Sequence, residues 1–301
     1  MHAWEAIQKT LNFIEEHLSE EIEIEELAEI AELSLFYYQR LFTRLVKSSV
    51  RNYIKLRRLA KSVDMLRDKE KRVIDIAMEN GFDSHVTFTR AFKETYGITP
   101  SQCRDKQVGL QNFVKPDLSL GYIVADEGVP LISEGVVLEM NRKFLEEPIN
   151  FIGVVGYYPF KFGKMFGERT GVDAVGEIWN NFWGVYKNIP QVLGGRLIGV
   201  SYHGDAPDDH SSYFVGAEVG KVEENHDFAD WQMPAREYVV CGFESENNEK
   251  MQSGMSKAMK YTRFWLREHN LIADGFFPEI YYKDTVDSMY VELWIPFKER
   301  Q

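Results

Sequence analysis

Cysteine is nearly absent: Cys103 and Cys241 are the only two among 301 residues. Two thiols so far apart exclude a disulfide framework or a cysteine zinc site, and they point to a reducing cytoplasm. Long apolar runs are missing too. None approaches the roughly 18 residues that a membrane span needs, so no membrane partner is expected. The stretch MHAWEAIQKTLNFIEEHL has the character of an acidic amphipathic helix and not of a signal peptide. No nucleophile with an adjacent histidine is evident, so no catalytic residue is expected; no metal or cofactor is expected either. Positive charge is scarce, with 35 Lys and Arg against 47 Asp and Glu and a net charge of −12. On average, that balance argues against a nucleic-acid partner.

The average conceals a segregation. Residues 1–32 carry −9 (one basic, ten acidic), residues 33–104 carry +8 (15 basic, 7 acidic), and residues 107–301 carry −11. A phosphate backbone meets the local potential and not the net charge. The basic block holds a specific pattern. Residues 73–104 form two short helices joined by a tight turn. Val73, Ile76 and Ala77 make an apolar stripe, and Asn80-Gly81 ends it, with Gly81 free to take a positive φ. Phe82 packs beneath the corner. Ser84 caps a second helix whose core side is Phe88, Ala91, Phe92 and Tyr96. Ser84, His85, Thr89, Arg90 and Lys93 fall outside that core side, as in a helix-turn-helix that lays its second helix in the DNA major groove. Taken alone, the stretch also fits an ordinary amphipathic helix pair.

The pattern occurs twice. Ile24, Leu27, Ala28 and Ala31 build a short helix after the acidic run Glu20 to Glu26, and Leu33-Ser34 turns the chain. Leu35, Tyr38, Leu41, Phe42 and Leu45 then point inward, with Phe36, Gln39, Arg40, Thr43 and Arg44 outward. Residues 50–67 interleave apolar positions with Arg51, Lys55, Arg57, Arg58 and Lys61. A helix there is about 25 Å long. It can hold two recognition helices near one DNA turn apart, ~34 Å.

Residues 5–104 resemble the DNA-binding domain of the AraC/XylS family of transcription regulators, MarA/Rob type. LSLFYYQRLF at 33–42 and GFDSHVTFTRAFKETYGITPSQCR at 81–104 carry the likeness. The resemblance implies groove contacts from Phe36, Gln39 and Arg40 and from His85, Thr89 and Arg90, with promoter or operator DNA and RNA polymerase as partners. Leu35, Val86 and His85 depart from residues common in that family.

Residues 107–136 look like a linker with one strand at most. From 137 onward a strand–helix–strand–strand pattern runs twice. FIGVVGYY (151–158), a helix over 174–189, RLIGVSYH (196–203) and YFVGAEVG (213–220) make the first copy. EYVVCGFE (237–244), a helix over 255–270, FPEIYYKD (277–284) and MYVELWIPF (289–297) make the second, with Trp183 and Trp265 as landmarks. The expected fold is therefore multidomain: an all-α domain over 1–106 with two helix-turn-helix motifs joined by a long helix, then an α+β domain over 137–301 with a helix against each curved sheet.

Alternation puts Val291, Leu293, Ile295 and Phe297 on a core face, leaving Glu292 and Trp294 on the other. The preceding strand offers Glu279 and Tyr281 in the same way. If both pairs lie on one side, they line an aromatic cavity with carboxylates, suited to a cation. Trp179, Trp183, Tyr202 and Tyr213 are further candidates, and plain core or salt bridges to Lys283, Arg236 or Arg196 remain an open alternative. PEIYY at 278–282, YVELWIPF at 290–297 and the Trp-containing helix resemble a GyrI-like effector-binding domain. That likeness implies a small amphipathic or cationic effector with Glu279 at a pocket floor and Glu292 nearby. Some such domains are hydrolases, for which Glu279 would be a general base, and others bind and inhibit a protein.

Overall fold

The computed structural model describes residues 3–106, 108–119, 127–133, 135–159, 170–190, 192–220, 222, 227–246, 248–282 and 289–300. It divides the chain into two compact units, residues 1–122 with 167–173 and residues 123–166 with 174–301.

The first unit is helical: α1 (Ala3–Glu16), α2 (Ile24–Ile30), α3 (Leu35–Val46), α4 (Val50–Met65), α5 (Val73–Glu79), α6 (His85–Tyr96) and α7 (Pro100–Lys106). Serines start three of them. The hydroxyls of Ser34, Ser49 and Ser84 accept from the backbone N–H of Tyr37, Asn52 and Thr87 at 3.4, 3.3 and 3.2 Å, each occupying a donor that helix geometry leaves orphaned. Gly81 (φ 72) makes the turn between α5 and α6, and Gly97 (φ 80) closes α6. The α2–α3 and α5–α6 pairs are the two expected helix-turn-helix motifs.

Each motif has its own core. Ile7, Leu11, Ile14, Leu27, Tyr38 and Phe42 form the first, and Ile76, Phe88, Phe92 and Tyr96 belong to the second. Helix α4 supplies Val50, Tyr53 and Ile54 to one core and Leu59 and Val63 to the other, and it packs on both α3 and α6. Two of its arginines face inward. Arg57 is buried, grips both Glu15 oxygens at 2.9 and 3.0 Å, and donates to the Phe113 carbonyl at 2.5 Å. Arg58 donates to the carbonyls of Leu18, Glu20 and Gly81. Leu35, expected inward, is exposed, because it lies in the first turn ahead of the stripe of Tyr38, Phe42 and Val46.

The segment expected as linker differs most. Leu110 is buried in the second core, and Phe113 and Leu118 are buried in the first. Strand β1 (Leu110–Gln111) pairs antiparallel with a distant strand, β5 (Gly171–Val172). A path that fills gaps between existing helices has no periodicity of its own, so sequence pattern does not disclose it.

The second unit holds β2 (Leu131–Ser133), β3 (Val136–Phe144), β4 (Ile149–Pro159), α8 (Ala174–Val185), β6 (Val192–Tyr202), β7 (His210–Val219), β8 (Ala229–Met233), β9 (Glu237–Ser245), α9 (Asn248–Glu268), β10 (Leu271–Ala273), β11 (Phe276–Tyr282) and β12 (Met289–Glu299). The duplicated unit is present, but it builds one ten-stranded sheet and not two, in the order β2-β3-β9-β12-β11-β6-β7-β4-β8 with β10 beside β12. The copies meet at the central β6–β11 pair. Each copy also has a leading strand that joins the other copy: β3 pairs with β9, and β8 pairs with β4.

Register assigns the faces. Met140, Cys241, Leu293, Glu279, Gly199, Val215 and Val154 lie opposite one another across seven strands and so share a face. Both helices cover this face. Ile178 of α8 lies where a Cβ on Gly156 would fall, and Phe243 packs into the gap left by Gly254 of α9. The neighbouring row, Glu139, Gly242, Glu292, Ile280, Ile198, Gly216 and Gly153, belongs to the other face. That side is also a core, with Phe151, Val200, Phe214, Met233, Tyr238 and Trp294 buried together.

Candidate functional site

The outward sides of α3 and α6 carry the polar residues expected there. On α3, Phe36 is 76% exposed, and Gln39, Arg40, Thr43 and Arg44 are exposed beside it. The Thr43 hydroxyl donates to the Gln39 backbone carbonyl at 2.8 Å. On α6, His85, Arg90 and Lys93 are exposed, and Thr89 lies 3.5 Å from the His85 ring nitrogen. Arg90 is held by Glu94 at 2.8 Å, an ion pair in solvent one turn along the helix. Ser84 spends its hydroxyl on capping α6. Two exposed apolar side chains were not among the expected contacts: Tyr37 beside Phe36 and Val86 beside His85, at 53% and 74% exposure. Both lie in the first turns of α3 and α6, a position readable from the sequence.

In the sheet unit the two glutamates do not share a site. Glu279 lies opposite Leu293 and Glu292 opposite Ile280, a one-residue offset that puts the carboxylates on opposite faces. Alternation fixes the faces within each strand, but the phase between strands depends on pairing register, which the sequence does not display. Glu279, 8% exposed, accepts from the hydroxyls of Tyr213 and Tyr281, both at 2.7 Å and both on Oε2. Gly199 opposite leaves the room: a Cβ there would stand 2.1 Å from the Tyr213 hydroxyl. Burial, then the adjacent Glu279 charge, pushes the Tyr213 hydroxyl well above its ordinary range, so it stays a donor. Trp179 of α8 meets the Tyr281 ring edge-on at 5.0 Å, and Trp183, half exposed, lies against Trp179.

Glu292 lies on the face away from the helices. Lys143 reaches it at 2.5 Å, the Tyr282 hydroxyl at 2.7 Å and the Trp294 indole N–H at 2.9 Å. The lysine ammonium also sits 5.4 Å from the Trp294 ring centre. Burial, then the Glu292 charge, pushes the neighbouring Tyr290 hydroxyl up to about 12. Tyr202 lies on this face too, 4.7 Å from Trp231 and apart from Glu279. The salt-bridge alternative thus holds for Glu292, but with Lys143. Arg196 pairs with Glu218 and Arg236 with Asp274, while Lys283 lies outside the described residues.

Comparison with known proteins agrees with both halves. A helix-turn-helix domain model matches residues 27–106, and a GyrI-like small molecule binding domain model matches residues 144–298. An uncharacterized HTH-type transcriptional regulator of Bacillus subtilis, YbfP, is 41% identical over 104 residues, 35% of each chain. The transcriptional regulator Rob of Salmonella typhimurium is 30% identical over 189 residues, 63% of this chain and 60% of its own. The right origin-binding protein of Escherichia coli K12 is 30% identical over 190 residues, with the same shares. The chain therefore spans between 35% and 60% of the length of these relatives. No helix among the described residues is long and apolar enough to cross a membrane. With the second model covering 155 of 301 residues, the chain belongs to the family of GyrI-like small molecule binding domain proteins, here carrying an AraC-type helix-turn-helix domain.

Proposed function

We propose that this protein is a non-enzymatic, cytoplasmic transcription regulator that binds promoter or operator DNA through α3 and α6, acts on RNA polymerase, and answers to a small amphipathic cation. The observation that carries this reading is the role of α4. One 16-residue helix lies in the cores of both motifs, so two outward recognition helices are carried on a single scaffold about 24 Å long. One chain then offers what a dimer of single motifs offers elsewhere.

In this reading Arg40 and Arg90 grip guanine edges, and Gln39 and His85 read neighbouring bases. Phe36 makes apolar groove contact, and Thr43, Arg44, Thr89 and Lys93 hold the backbone. Ser84 orients the N-terminus of α6 toward a phosphate. The effector group is Glu279 with Tyr213, Tyr281, Trp179 and Trp183. Glu292, Trp294 and Tyr202 support the opposite core. The names of the relatives and the family's description favour the same assignment.

The test starts with the full chain and a random pool of duplex DNA. A selected sequence should emerge, and electrophoretic titration on it should show Arg40→Ala and Arg90→Ala each weakening binding between about 5- and 100-fold. Selection of no sequence, or two variants as tight as the parent, refutes the proposal.

A further inference from the structure

The segment that follows α7 is fastened to both cores of the helical unit. Leu110 is buried in the core of the second motif, and Phe113 and Leu118 are buried in the core of the first. Tyr96, the last residue of α6, donates its buried hydroxyl to Asn112 at 2.9 Å. Arg57 of α4 donates to the Phe113 carbonyl, and the Leu118 N–H reaches Gln8 of α1 at 2.9 Å. These bonds tie one short stretch to the end of a recognition helix, to the shared scaffold helix and to the first helix.

The other side of this stretch is paired with residues from much later in the chain. Leu110 lies opposite Val172 and Gln111 opposite Gly171. The Asp173 N–H donates to the Gly109 carbonyl at 3.0 Å, and the Gln111 amide reaches the Asp173 carboxylate at 3.4 Å. The next residue, Ala174, is the first of α8, the helix whose Trp179 stands against Tyr281. A single peptide bond therefore separates a ladder in the helical unit from the helix that flanks Glu279.

We propose that the β1–β5 ladder is a transmission strap linking occupancy of the Glu279 group to the seating of α6. This rests on the effector reading above. A ligand that enters between Trp179 and Tyr281 displaces α8, and Asp173 carries that displacement to Gly109 and Asn112. The ladder suits a switch because it is short: two residue pairs and two flanking bonds can be made or broken without unfolding either core. Engaged, it holds Asn112 under Tyr96. Released, it frees the last turn of α6, and the DNA affinity changes.

The test uses the full chain with two variants, Asp173→Pro, which deletes the N–H bonded to Gly109, and Tyr96→Phe, which deletes the hydroxyl bonded to Asn112. The first arm needs no ligand. Amide exchange in Asp173→Pro should quicken at least tenfold at 109–113 and also in the last turn of α6, with α3 and β12 unchanged. Acceleration confined to 109–113 and 171–173 overturns the strap. The second arm titrates DNA with and without tetraphenylphosphonium. The parent's DNA affinity should change at least about fivefold, within the range usual for coupled sites. Both variants should change less than twofold on adding the probe while binding tetraphenylphosphonium as the parent does. Variants that couple like the parent, or a parent that binds both partners without coupling, overturn the proposal. A parent that does not bind tetraphenylphosphonium refutes the cationic-effector reading alone, and the exchange arm still decides the strap.

Discussion

The two units dispose of their polar groups in opposite ways. In the helical unit the side chains assigned to recognition lie in solvent, and the charges that are buried serve the framework: Arg57 with Glu15, and half-buried Arg58 with three carbonyls. In the sheet unit the carboxylates are buried, at 8% exposure for Glu279 and 4% for Glu292, each surrounded by donors from aromatic side chains. Under the proposed function, the difference follows from the size of what each half would meet. A duplex is a long polyanion, read by donors that reach out from a stiff scaffold and exchange counterions for phosphates. A small molecule is enclosed, and one buried charge in a low dielectric acts on it more strongly than several in water. Tyr213 and Tyr281 keep Glu279 satisfied meanwhile, so its burial carries no orphaned charge.

If the units are as separate as their cores, each should lose stability by itself. Phe92→Ala empties a fully buried ring position in the helical unit, and Phe214→Ala does so in the sheet unit. Each should cost about 3–5 kcal/mol in its own unit. Calorimetry of the parent should resolve two transitions, with Phe92→Ala lowering one and Phe214→Ala the other. A single transition lowered by both variants would mean that the halves fold as one.

The helical half was legible almost residue by residue, because its signals are local. Apolar spacing, the turn at Ser34, Ser84 as a cap, and Gly81 at the corner act within one or two turns, and the structure has each where periodicity places it, with Ser34 also capping α3. What it concealed was long-range. Nothing around Arg57 or Arg58 distinguishes an inward clamp from a solvated basic face, and nothing around Phe113 shows that it completes a core begun more than a hundred residues earlier. The sheet half inverted that balance. Its strands and duplication are visible from alternation and repeats, whereas the single step of register that separates Glu279 from Glu292 is not. Glu279 and Glu292 obey the same Glu-x-aromatic pattern, but pairing decides the face, and pairing is a property of two strands together. Lys143 as the partner of Glu292 was equally out of reach, since β3 crosses to the other copy before the two meet.

The contrast between the carboxylates gives the next prediction. Glu279→Gln keeps an oxygen to accept from Tyr213 and Tyr281 while removing the charge. It should weaken tetraphenylphosphonium binding by about tenfold or more and leave neutral triphenylphosphine oxide within about twofold. Calorimetric titration of both compounds checks this. Equal losses for the two would show that the site selects by shape, and the electrostatic half of the effector reading would fall.

The smallest effect belongs to the most exposed pair. Arg90 and Glu94 lie one turn apart in solvent, and on the proposed reading the guanidinium must leave its carboxylate before it can reach a base edge. Such surface pairs contribute little to stability, so Glu94→Gln should leave thermal unfolding unchanged. Binding tells a different story, because the carboxylate competes with DNA for Arg90 and repels nearby phosphates. The variant should bind the selected duplex about twofold tighter, with the gain fading as added salt screens both interactions. Combined with Arg90→Ala, the same change should have less effect, since the competition disappears with the arginine. If Glu94→Gln instead weakened binding, the ion pair would be presetting the guanidinium for the groove, and Glu94 would count as part of the recognition surface.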